Sequence, residues 1–444
     1  MLAGFSETII TPEVGGLMPG EFEAYKTTLP ARVQLCCNAA AFTSGEQSVI
    51  LVSMDVISSS VAYVDQIRSR ISAATGVPVK NILVAATHTH TGPALEYDVW
   101  CVPADPVQSA FTADQAVQAA VEAWENRTEA AIGVGKCFEN RFSYCRDFYL
   151  DDGSIRMNPS SSIYHRLVRP VREQIDHSLN AMRVDDAKGN TLAFLVNFAN
   201  HADSTGGAPR NMYSPDYPGY IRAALQGQYG KQVRVLFFNG ACGDVNHIDY
   251  LHGNHRWYYA KGISAAEIIG CNLALDVINM NPAINTEGGD MTVDAVSNEI
   301  VTSRRHLTEA DMEWAKQVME NPEKYNSGDR AFAGEYLLGD DPSDEISIEV
   351  HTMRLGPWAI VGLPSEIFSE IGLAIKERSP FEHTLVFELA NGHHGYIPPA
   401  YVIGSGAYEA RVSKLNSACG PETAELLIEQ SIRQLNALAA KEQK

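Results

Sequence analysis

The chain has 444 residues, of which 45% are hydrophobic and 20% are charged, so it carries enough apolar side chains for a large folded core. Asp and Glu total 54 against 34 Lys and Arg, which gives a formal net charge of -20. A surface this acidic repels phosphate backbones and anionic lipid head groups. The composition therefore argues against nucleic-acid binding and against docking on acidic membranes.

The N-terminus and the cysteines indicate the compartment. The segment Met1–Thr8 has no basic region followed by a long apolar run, so it does not resemble a signal peptide. No apolar run approaches the ~20 residues that a membrane-spanning helix needs. We therefore expect a cytoplasmic protein without an integral membrane segment. The eight cysteines form no C-x-x-C pair and are expected to be reduced thiols: Cys36, Cys37, Cys101, Cys137, Cys145, Cys242, Cys271 and Cys419.

Apolar segments of strand length alternate along the chain with amphipathic segments of helix length. In chain order the pattern predicts a strand at 49–52, a helix at 61–74, a strand at 82–84, a helix at 105–126, strands at 192–198 and 233–238, a helix at 308–319, strands at 358–361 and 385–389, and a closing helix at 421–438. Gly76 ends the first helix, and Thr308 with Asp311 forms a capping box. Such alternation predicts an α/β fold, in which helices flank a mixed sheet.

We expect a single domain that covers residues 1–444. The segment 321–345 is polar and rich in Gly, Asp and Pro. Two interpretations of this segment stay open, a surface insertion that covers a site and a plain solvated loop.

Clusters of chemically capable residues lie directly after the predicted strands. These clusters are Asp55, Thr87–His90, Asn200–Asp203, Asn239–Asp244, Ser365–Glu366 and Asn391–Tyr396. In α/β sheets the ligand crevice lies outside the carboxyl ends of the strands. We therefore expect the six clusters to meet at one rim of the fold and to form an active site there.

His88 and His90 are the most informative pair in these clusters. Residues i and i+2 of an extended segment project to the same face, so both imidazoles can point into one pocket. His201 adds a third imidazole, which Asp203 could orient. Imidazole is a preferred zinc ligand, so the pattern favours a metal site. Spacing alone leaves open that the histidines only form hydrogen bonds at strand ends.

Other classes of enzyme leave sequence marks that this chain lacks. It has no G-x-S-x-G serine elbow and no G-x-x-x-x-G-K-[ST] phosphate loop. It also has no H-E-x-x-H, and no G-x-G-x-x-G follows an early strand. Metal chemistry is therefore favoured over nucleotide or serine chemistry.

The segment Ala86–Pro93, A-T-H-T-H-T-G-P, resembles the hallmark A-T-H-T-H-S-G-P of the neutral/alkaline (non-lysosomal) ceramidase superfamily. The resemblance continues in the same order along the chain at Asn140-Arg141, Asn197–His201, Gly243–Val245, Pro364–Phe368, Gly395–Ile397 and Gly406–Ala410. The chain resembles the shorter bacterial members, which lack the C-terminal β-sandwich domain of the lipid-cleaving enzymes.

The resemblance implies a zinc site and a set of catalytic groups. The implied zinc ligands are His88, His201, Glu366 and Tyr396. The groups that it places on the reacting substrate are His90, Arg141 and Tyr408. His90 would act as a general acid and base, and Arg141 and Tyr408 would donate hydrogen bonds to an oxyanion.

One segment departs from the family pattern. Where ceramidases carry G-D-x-S-P-N, Asn246 stands in place of the serine and His247 in place of the proline. An amide side chain cannot serve as the nucleophile, so attack by zinc-bound hydroxide is the simplest mechanism. We interpret Asp244, Asn246 and His247 as substrate-binding groups that would recognise a hydroxylated compound such as a sugar. Hydrogen bonding within the turn is the alternative, and a second metal near Asp249 stays open.

The sequence thus predicts a zinc-dependent, ceramidase-like hydrolase that cleaves the amide bond of a small N-acyl compound other than ceramide. Two alternatives remain. The first is a zinc-dependent ester or lactone hydrolase acting on a small hydroxylated or sugar-derived substrate, and the second is a metal-binding homologue without turnover. The sequence leaves the substrate's identity and homo-oligomerisation open.

Overall fold

The computed structural model describes residues 1–100, 102–205, 211–252 and 265–443, so Cys101 lies outside the described residues. The α-helices within these ranges are α1 (Val61–Thr75), α2 (Pro106–Glu125), α3 (Asp216–Tyr229), α4 (Ala265–Met280), α5 (Glu309–Glu320), α6 (Ser327–Leu337), α7 (Ser369–Arg378) and α8 (Thr423–Ala439). Within the same ranges, none of the helices combines the length and the hydropathy needed to span a bilayer.

The strands fall into two larger sheets and several short pairs. They are β1 (Leu2–Ile9), β2 (Leu17–Met18), β3 (Tyr25–Lys26), β4 (Cys36–Ser44), β5 (Gln47–Met54), β6 (Ile82–Ala86), β7 (Thr128–Phe138), β8 (Tyr144–Cys145), β9 (Asp147–Leu150), β10 (Ile155–Met157), β11 (Leu167–Pro170), β12 (Ser178–Asp186), β13 (Thr191–Phe198), β14 (Arg234–Asn239), β15 (Val245–Asn246), β16 (Val293–Ser303), β17 (Glu345–Leu355), β18 (Trp358–Gly362), β19 (Glu366–Ile367), β20 (His383–Phe387) and β21 (Tyr396–Ile397).

The eight-stranded sheet has the order β14-β13-β12-β7-β1-β4-β5-β6 and bends in its middle. Strands β1 and β7 share only the pairs Leu2–Glu129 and Ala3–Thr128. Beyond this junction β14 returns towards β5, where the Ser53 hydroxyl donates to the Phe237 carbonyl oxygen at 2.6 Å. The bend therefore brings the parallel pairs β5–β6 and β13–β14, which lie at opposite edges, close together.

The smaller sheet, β16-β17-β18-β20, packs on the inner face of the bent sheet. Phe238 of β14 and Phe387 of β20 stack there with ring centroids 4.3 Å apart. Helices α1 and α2 cover the outer face of β4–β6, and α3 and α4 cover that of β12–β14. Helices α7 and α8 cover the smaller sheet. The predicted fold class, α/β with a mixed sheet flanked by helices, is confirmed.

Local sequence signals set the helix ends where the sequence predicted them. The Asp105 side chain accepts from the backbone amides of Val107 and Gln108 and begins α2. Thr308 and Asp311 form the predicted capping box of α5. Gly76 has φ 77 and ends α1, since glycine adopts the left-handed conformation without a Cβ clash.

The segment 321–345 is helical at its centre. Helix α6 follows α5 in the chain and packs against it. Phe332 and Tyr336 of α6 are buried with α5 residues in one apolar cluster. Trp314 of α5 contacts Tyr336 edge to face, with centroids 5.8 Å apart. The interpretation as a plain solvated loop therefore does not describe this segment, which forms a helical hairpin with α5.

Asp55, expected at the active rim, forms a buried ion pair instead. Its carboxylate lies 2.9 Å from the Arg222 guanidinium, and it also accepts from the Cys36 amide and the Thr87 hydroxyl. Burial raises the pKa of Asp55, although the charge of Arg222 opposes that rise. The pair joins the end of β5 to α3.

Replacing Asp55 with Ala should lower the free energy of unfolding by roughly 3–5 kcal/mol, because Arg222 would stay buried without its partner. The double variant Asp55→Ala/Arg222→Met should recover a large part of that loss, since it removes the unpaired charge as well. Urea unfolding of the three proteins measures both effects. An unchanged midpoint for Asp55→Ala would show that the pair contributes nothing.

Candidate active site

The carboxyl ends of the strands bring three imidazoles together. His88 follows β6, and His201 follows β13. The Nε2 atoms of His88 and His201 lie 2.9 Å apart, and Nε2 of His90 lies 3.3 Å from that of His88. The backbone of His88 has φ 66, so the segment is a turn and not the extended strand that the spacing argument assumed. A left-handed conformation is uncommon for histidine and often marks a functional site.

Backbone carbonyls fix the tautomer of each imidazole. Nδ1 of His88 lies 2.8 Å from the Ile57 carbonyl oxygen, and Nδ1 of His201 lies 3.1 Å from that of Cys242. Nδ1 of His90 lies 2.7 Å from the Gly20 carbonyl oxygen. A carbonyl oxygen only accepts, so each Nδ1 carries the hydrogen and each neutral ring has its lone pair on Nε2. The three lone pairs therefore lie close to one another.

Glu366 adds a carboxylate to the same point. Its Oε2 lies 3.3 Å from Nε2 of His88 and 3.5 Å from Nε2 of His201, and this buried oxygen forms no hydrogen bond with the described residues. Its Oε1 lies 3.2 Å from Nε2 of His393. Glu366 is placed by the short parallel pair β19–β21, in which it is opposite Tyr396.

The electrostatics of these groups favour a positive charge between them. Burial opposes ionisation of Glu366, but His88, His393 and His201 outweigh it and hold the pKa of Glu366 well below its usual range. Burial also opposes protonation of His88, yet the Glu366 carboxylate raises the pKa of His88. Burial and the Arg146 charge hold the pKa of His201 well below its usual range. Without a cation, the lone pairs of His88 and His201 repel each other.

The donor set fits a metal ion. Two imidazole nitrogens and a carboxylate oxygen are the donors of many zinc sites, and here all three are buried and converge. The ring nitrogens of His88, His90 and His201 lie within 4.8 Å of one another and could also hold an ion as a trio. The geometry thus offers His90 either as a ligand or as a group that acts beside the metal.

These groups line a cavity of about 140 Å³. Tyr396 and Tyr408 form part of its wall, with ring centroids 5.6 Å apart. Pockets for drug-sized ligands usually have about 300–1,000 Å³, so this space admits only the part of a substrate around the reacting bond. Its other lining residues include Glu21, Phe22, Tyr97, Trp100, Asn158, Asp203 and His393.

The tip of the β2–β3 hairpin closes the cavity against His90. Gly20 has φ 118, and a Cβ there would lie 2.9 Å from His90 atoms, so only glycine lets this carbonyl approach the imidazole. Glu21 and Asp203 place carboxylate oxygens within 4.8 Å of a His90 ring nitrogen. Asp203 thus accompanies His90, whereas we expected it to orient His201.

Six of the predicted site residues meet in the cavity, namely His88, His90, His201, Glu366, Tyr396 and Tyr408. Arg141 does not line it. The Arg141 side chain is 47% exposed and forms ion pairs with Glu139 and Asp276. The location of Arg141 therefore gives no support to a role on the substrate.

Arg146 lies in the cavity wall, where sequence reasoning had not placed it. Its Nε donates to Glu409 at 2.9 Å and its NH2 group to the Gly243 carbonyl oxygen at 2.7 Å. Its guanidinium carbon lies 5.4 Å from the centre of the Tyr396 ring. Arg146 lies between the short, largely buried strands β8 and β9. A buried arginine needs a partner, so its position between these strands was the sequence signal that could have identified it.

The predicted substrate-binding residues Asp244, Asn246 and His247 do not line the cavity. The Asp244 carboxylate accepts from the amide and the hydroxyl of Ser369. Asn246 donates to the Asn158 side chain at 2.6 Å, and Asn158 in turn lines the cavity. Burial lowers the pKa of His247 to about 4. For the described part of the chain, no trio of metal-ligating atoms forms around Asp244, His247 and Asp249.

Comparison with solved structures identifies the fold. Neutral ceramidase from Pseudomonas aeruginosa superposes with a TM-score of 0.71 at 16% identity, over 99% of this chain and 74% of that one. A ceramidase complexed with C2 gives a TM-score of 0.71 at 15% identity, over 99% and 75% of the two chains. The chain therefore has the neutral ceramidase fold, as the resemblance of its motifs predicted. No protein-family model and no curated protein sequence matches it.

Replacing His88 or Glu366 with Ala should strongly weaken metal binding, because each variant loses one of the buried donors that converge on the site. Elemental analysis of protein purified without chelator should find about one zinc per chain in the wild type and almost none in the variants. His306→Ala is a matched control, since His306 is an exposed imidazole paired with Asp340. A wild type free of any transition metal would contradict the assignment.

Proposed function

We propose that this protein is a zinc-dependent hydrolase of the neutral ceramidase superfamily that cleaves the amide bond of a small N-acyl compound. One observation carries the proposal. The lone pairs of His88 and His201 and a free oxygen of Glu366 converge at the wall of a small cavity. His90, Arg146 and Tyr408 line the same cavity, and they are the acid–base and hydrogen-bonding groups that hydrolysis needs.

The residues that would hold the zinc are His88, His201 and Glu366, with the Tyr396 phenol as the fourth. When bound, the ion would act as a Lewis acid and lower the pKa of a water molecule to about 7. Backbone carbonyls orient both imidazoles through Nδ1, which is how metal-ligating histidines are commonly fixed. Burial holds the pKa of Tyr396 well above its usual range, so the phenol would bind as a weak ligand.

In the proposed reaction His90 moves the proton. Its Nδ1 donates to the Gly20 carbonyl oxygen, so Nε2 is the proton acceptor of the neutral ring, and this atom lies 3.3 Å from Nε2 of His88. Nε2 can accept a proton from the attacking water and then pass it to the leaving amine. The nearby carboxylates of Glu21 and Asp203 would stabilise the imidazolium that forms between these two steps.

In the proposed reaction Arg146 and Tyr408 stabilise an oxyanion. Burial raises the pKa of the Tyr408 phenol, so it keeps its proton and can donate a hydrogen bond. Arg146 stays charged at any physiological pH, and Glu409 and Gly243 hold its position. A donor fixed before the reaction stabilises developing charge without reorganisation. Arg146 thus takes the role that the sequence resemblance had given to Arg141.

The position of Asn246 supports attack by water without an acyl-enzyme. Asn246 stands where the family carries its serine, and it lies behind Asn158 and outside the cavity. An amide cannot form an acyl-enzyme. Hydrolysis then forms a C–O bond between water and the acyl carbon and breaks the C–N bond, and the nitrogen takes up a proton as the amine leaves, so that the acid and the amine are released without an acyl-enzyme.

His90→Ala should lower kcat by at least about 100-fold while the zinc content stays close to that of the wild type, as expected for a general acid and base. Steady-state kinetics and elemental analysis on the same preparation separate the two effects. Loss of zinc together with activity would make His90 a ligand and would contradict the role proposed here.

Arg146 can be tested with Arg141 as its matched control. Arg146→Ala should lower kcat/KM by about 100-fold or more, as for removal of an oxyanion donor. Arg141→Ala should stay within about fivefold of wild type, since a partly exposed ion pair away from the cavity contributes little. If Arg141→Ala lowered kcat/KM more than Arg146→Ala, the result would instead support Arg141, the residue that the sequence resemblance implies. Circular dichroism of both variants checks that the fold is retained.

A panel of substrates tests which kind of bond the protein cleaves and how large the substrate can be. We expect hydrolysis of small N-acetyl amides and little or no release of fatty acid from a fluorescent short-chain ceramide, because Asn246 stands where the ceramidases carry their serine. Esters and lactones of similar size belong in the panel, since the same groups would act on them. Bound zinc with no turnover on any of these compounds would favour a metal-binding protein without catalysis.

A further inference from the structure

A larger chamber lies beside the active-site cavity. Its volume is about 610 Å³, within the range of small-molecule sites. Phe22, Met157 and Tyr408 line both spaces and form their common wall. The chamber is therefore a candidate site for the remaining part of a substrate whose reacting bond lies in the cavity.

The wall of the chamber is largely aromatic. The helical hairpin α5–α6 contributes Trp314, Phe332 and Tyr336. Phe332 lies between Phe22 and Tyr408, with ring centroids 6.1 and 6.0 Å away. Phe332 itself is buried, so the partly exposed rings of Phe22, Trp314 and Tyr408 are the apolar surfaces open to a ligand. Such rings favour an aromatic group of the ligand by stacking or edge contact. The segment 321–345, which has no role in the hydrolysis itself, thus supplies part of this chamber.

Most charges in the chamber wall are already paired. The Asp311 carboxylate accepts from the amide and the hydroxyl of Thr308 in the capping box. Asp329 lies 3.4 Å from Arg411, and the Arg411 guanidinium carbon lies 4.0 Å from the centre of the Phe332 ring. These groups hold one another in place and have little capacity left for a ligand.

Arg156 is the exception. It lies on β10 in the chamber wall, and its guanidinium forms no hydrogen bond or ion pair with the residues that the structure describes. Asn158, two residues further on, lines the active-site cavity, so the same chain segment passes both spaces. A guanidinium binds a carboxylate through paired hydrogen bonds, and it does so best where no other anion competes.

We propose that the chamber binds the carboxylate of the substrate through Arg156 and an adjoining aromatic group through Phe22 and Trp314. The substrate class is then an N-acyl aromatic amino acid or an amide of the same chemistry. This inference rests on the proposed function for the kind of bond that is cleaved, but Arg156 is not one of the catalytic groups.

The first test compares N-acetyl-L-phenylalanine with N-acetylphenethylamine, which lacks the carboxylate. The wild type should prefer the acid, and Arg156→Gln should lower the acid-to-amine ratio of kcat/KM by about tenfold or more, mainly through KM. Arg32→Gln is the control, because Arg32 is an exposed arginine that lines neither space and should leave the ratio unchanged.

The second test measures binding without turnover. Calorimetry with 3-phenylpropionate and with neutral 3-phenylpropanol should show tighter binding of the carboxylate, and Arg156→Gln should abolish the difference. Equal affinities in the wild type, or a preference that survives in Arg156→Gln, would overturn the subsite while leaving the hydrolase proposal intact. Arg156-dependent binding without cleavage of any amide would instead support the subsite and contradict the hydrolase.

Discussion

Three backbone carbonyls determine what the active site can do. The oxygens of Ile57, Cys242 and Gly20 accept from Nδ1 of the three histidines and so direct every Nε2 lone pair to one point. Lone pairs at this separation repel unless a cation lies between them. The negative charge of the Glu366 carboxylate, 3.3 Å from His88, further favours a cation between these groups. Hydrogen bonds of the protein backbone therefore fix a set of donors whose arrangement fits a metal ion.

The bend of the large sheet makes this convergence possible. His88 follows an edge strand, His201 follows a strand beside the opposite edge, and a flat sheet would keep the two far apart. The smaller sheet then brings Glu366 against them from the other side of the core. Buried ion pairs fix the surroundings, with Asp55 holding α3 to the end of β5 and Glu409 holding Arg146 in the cavity wall.

The sequence identified the elements whose signals are local. Caps and periodic apolar positions placed α1, α2, α5 and most of the strands that precede the site. Strand β4 was missed because its run Ala39–Ala41 is buried on both faces and shows no alternation. Helix α6 was missed because the flanking Gly, Asp and Pro residues conceal its one buried face, which includes Phe332.

By itself the sequence determined the residue types of the site and their order along the chain, since imidazole and carboxylate chemistry belongs to the residue and not to the fold. Tertiary structure decided which of two arginines five positions apart enters the cavity. Arg146 is buried because Glu409, 263 residues away, neutralises it, whereas Arg141 pairs with Glu139 and Asp276 and its side chain stays 47% exposed. Only folding brings such distant partners together, and the cost of burying an unpaired charge then selects the residue that stays inside.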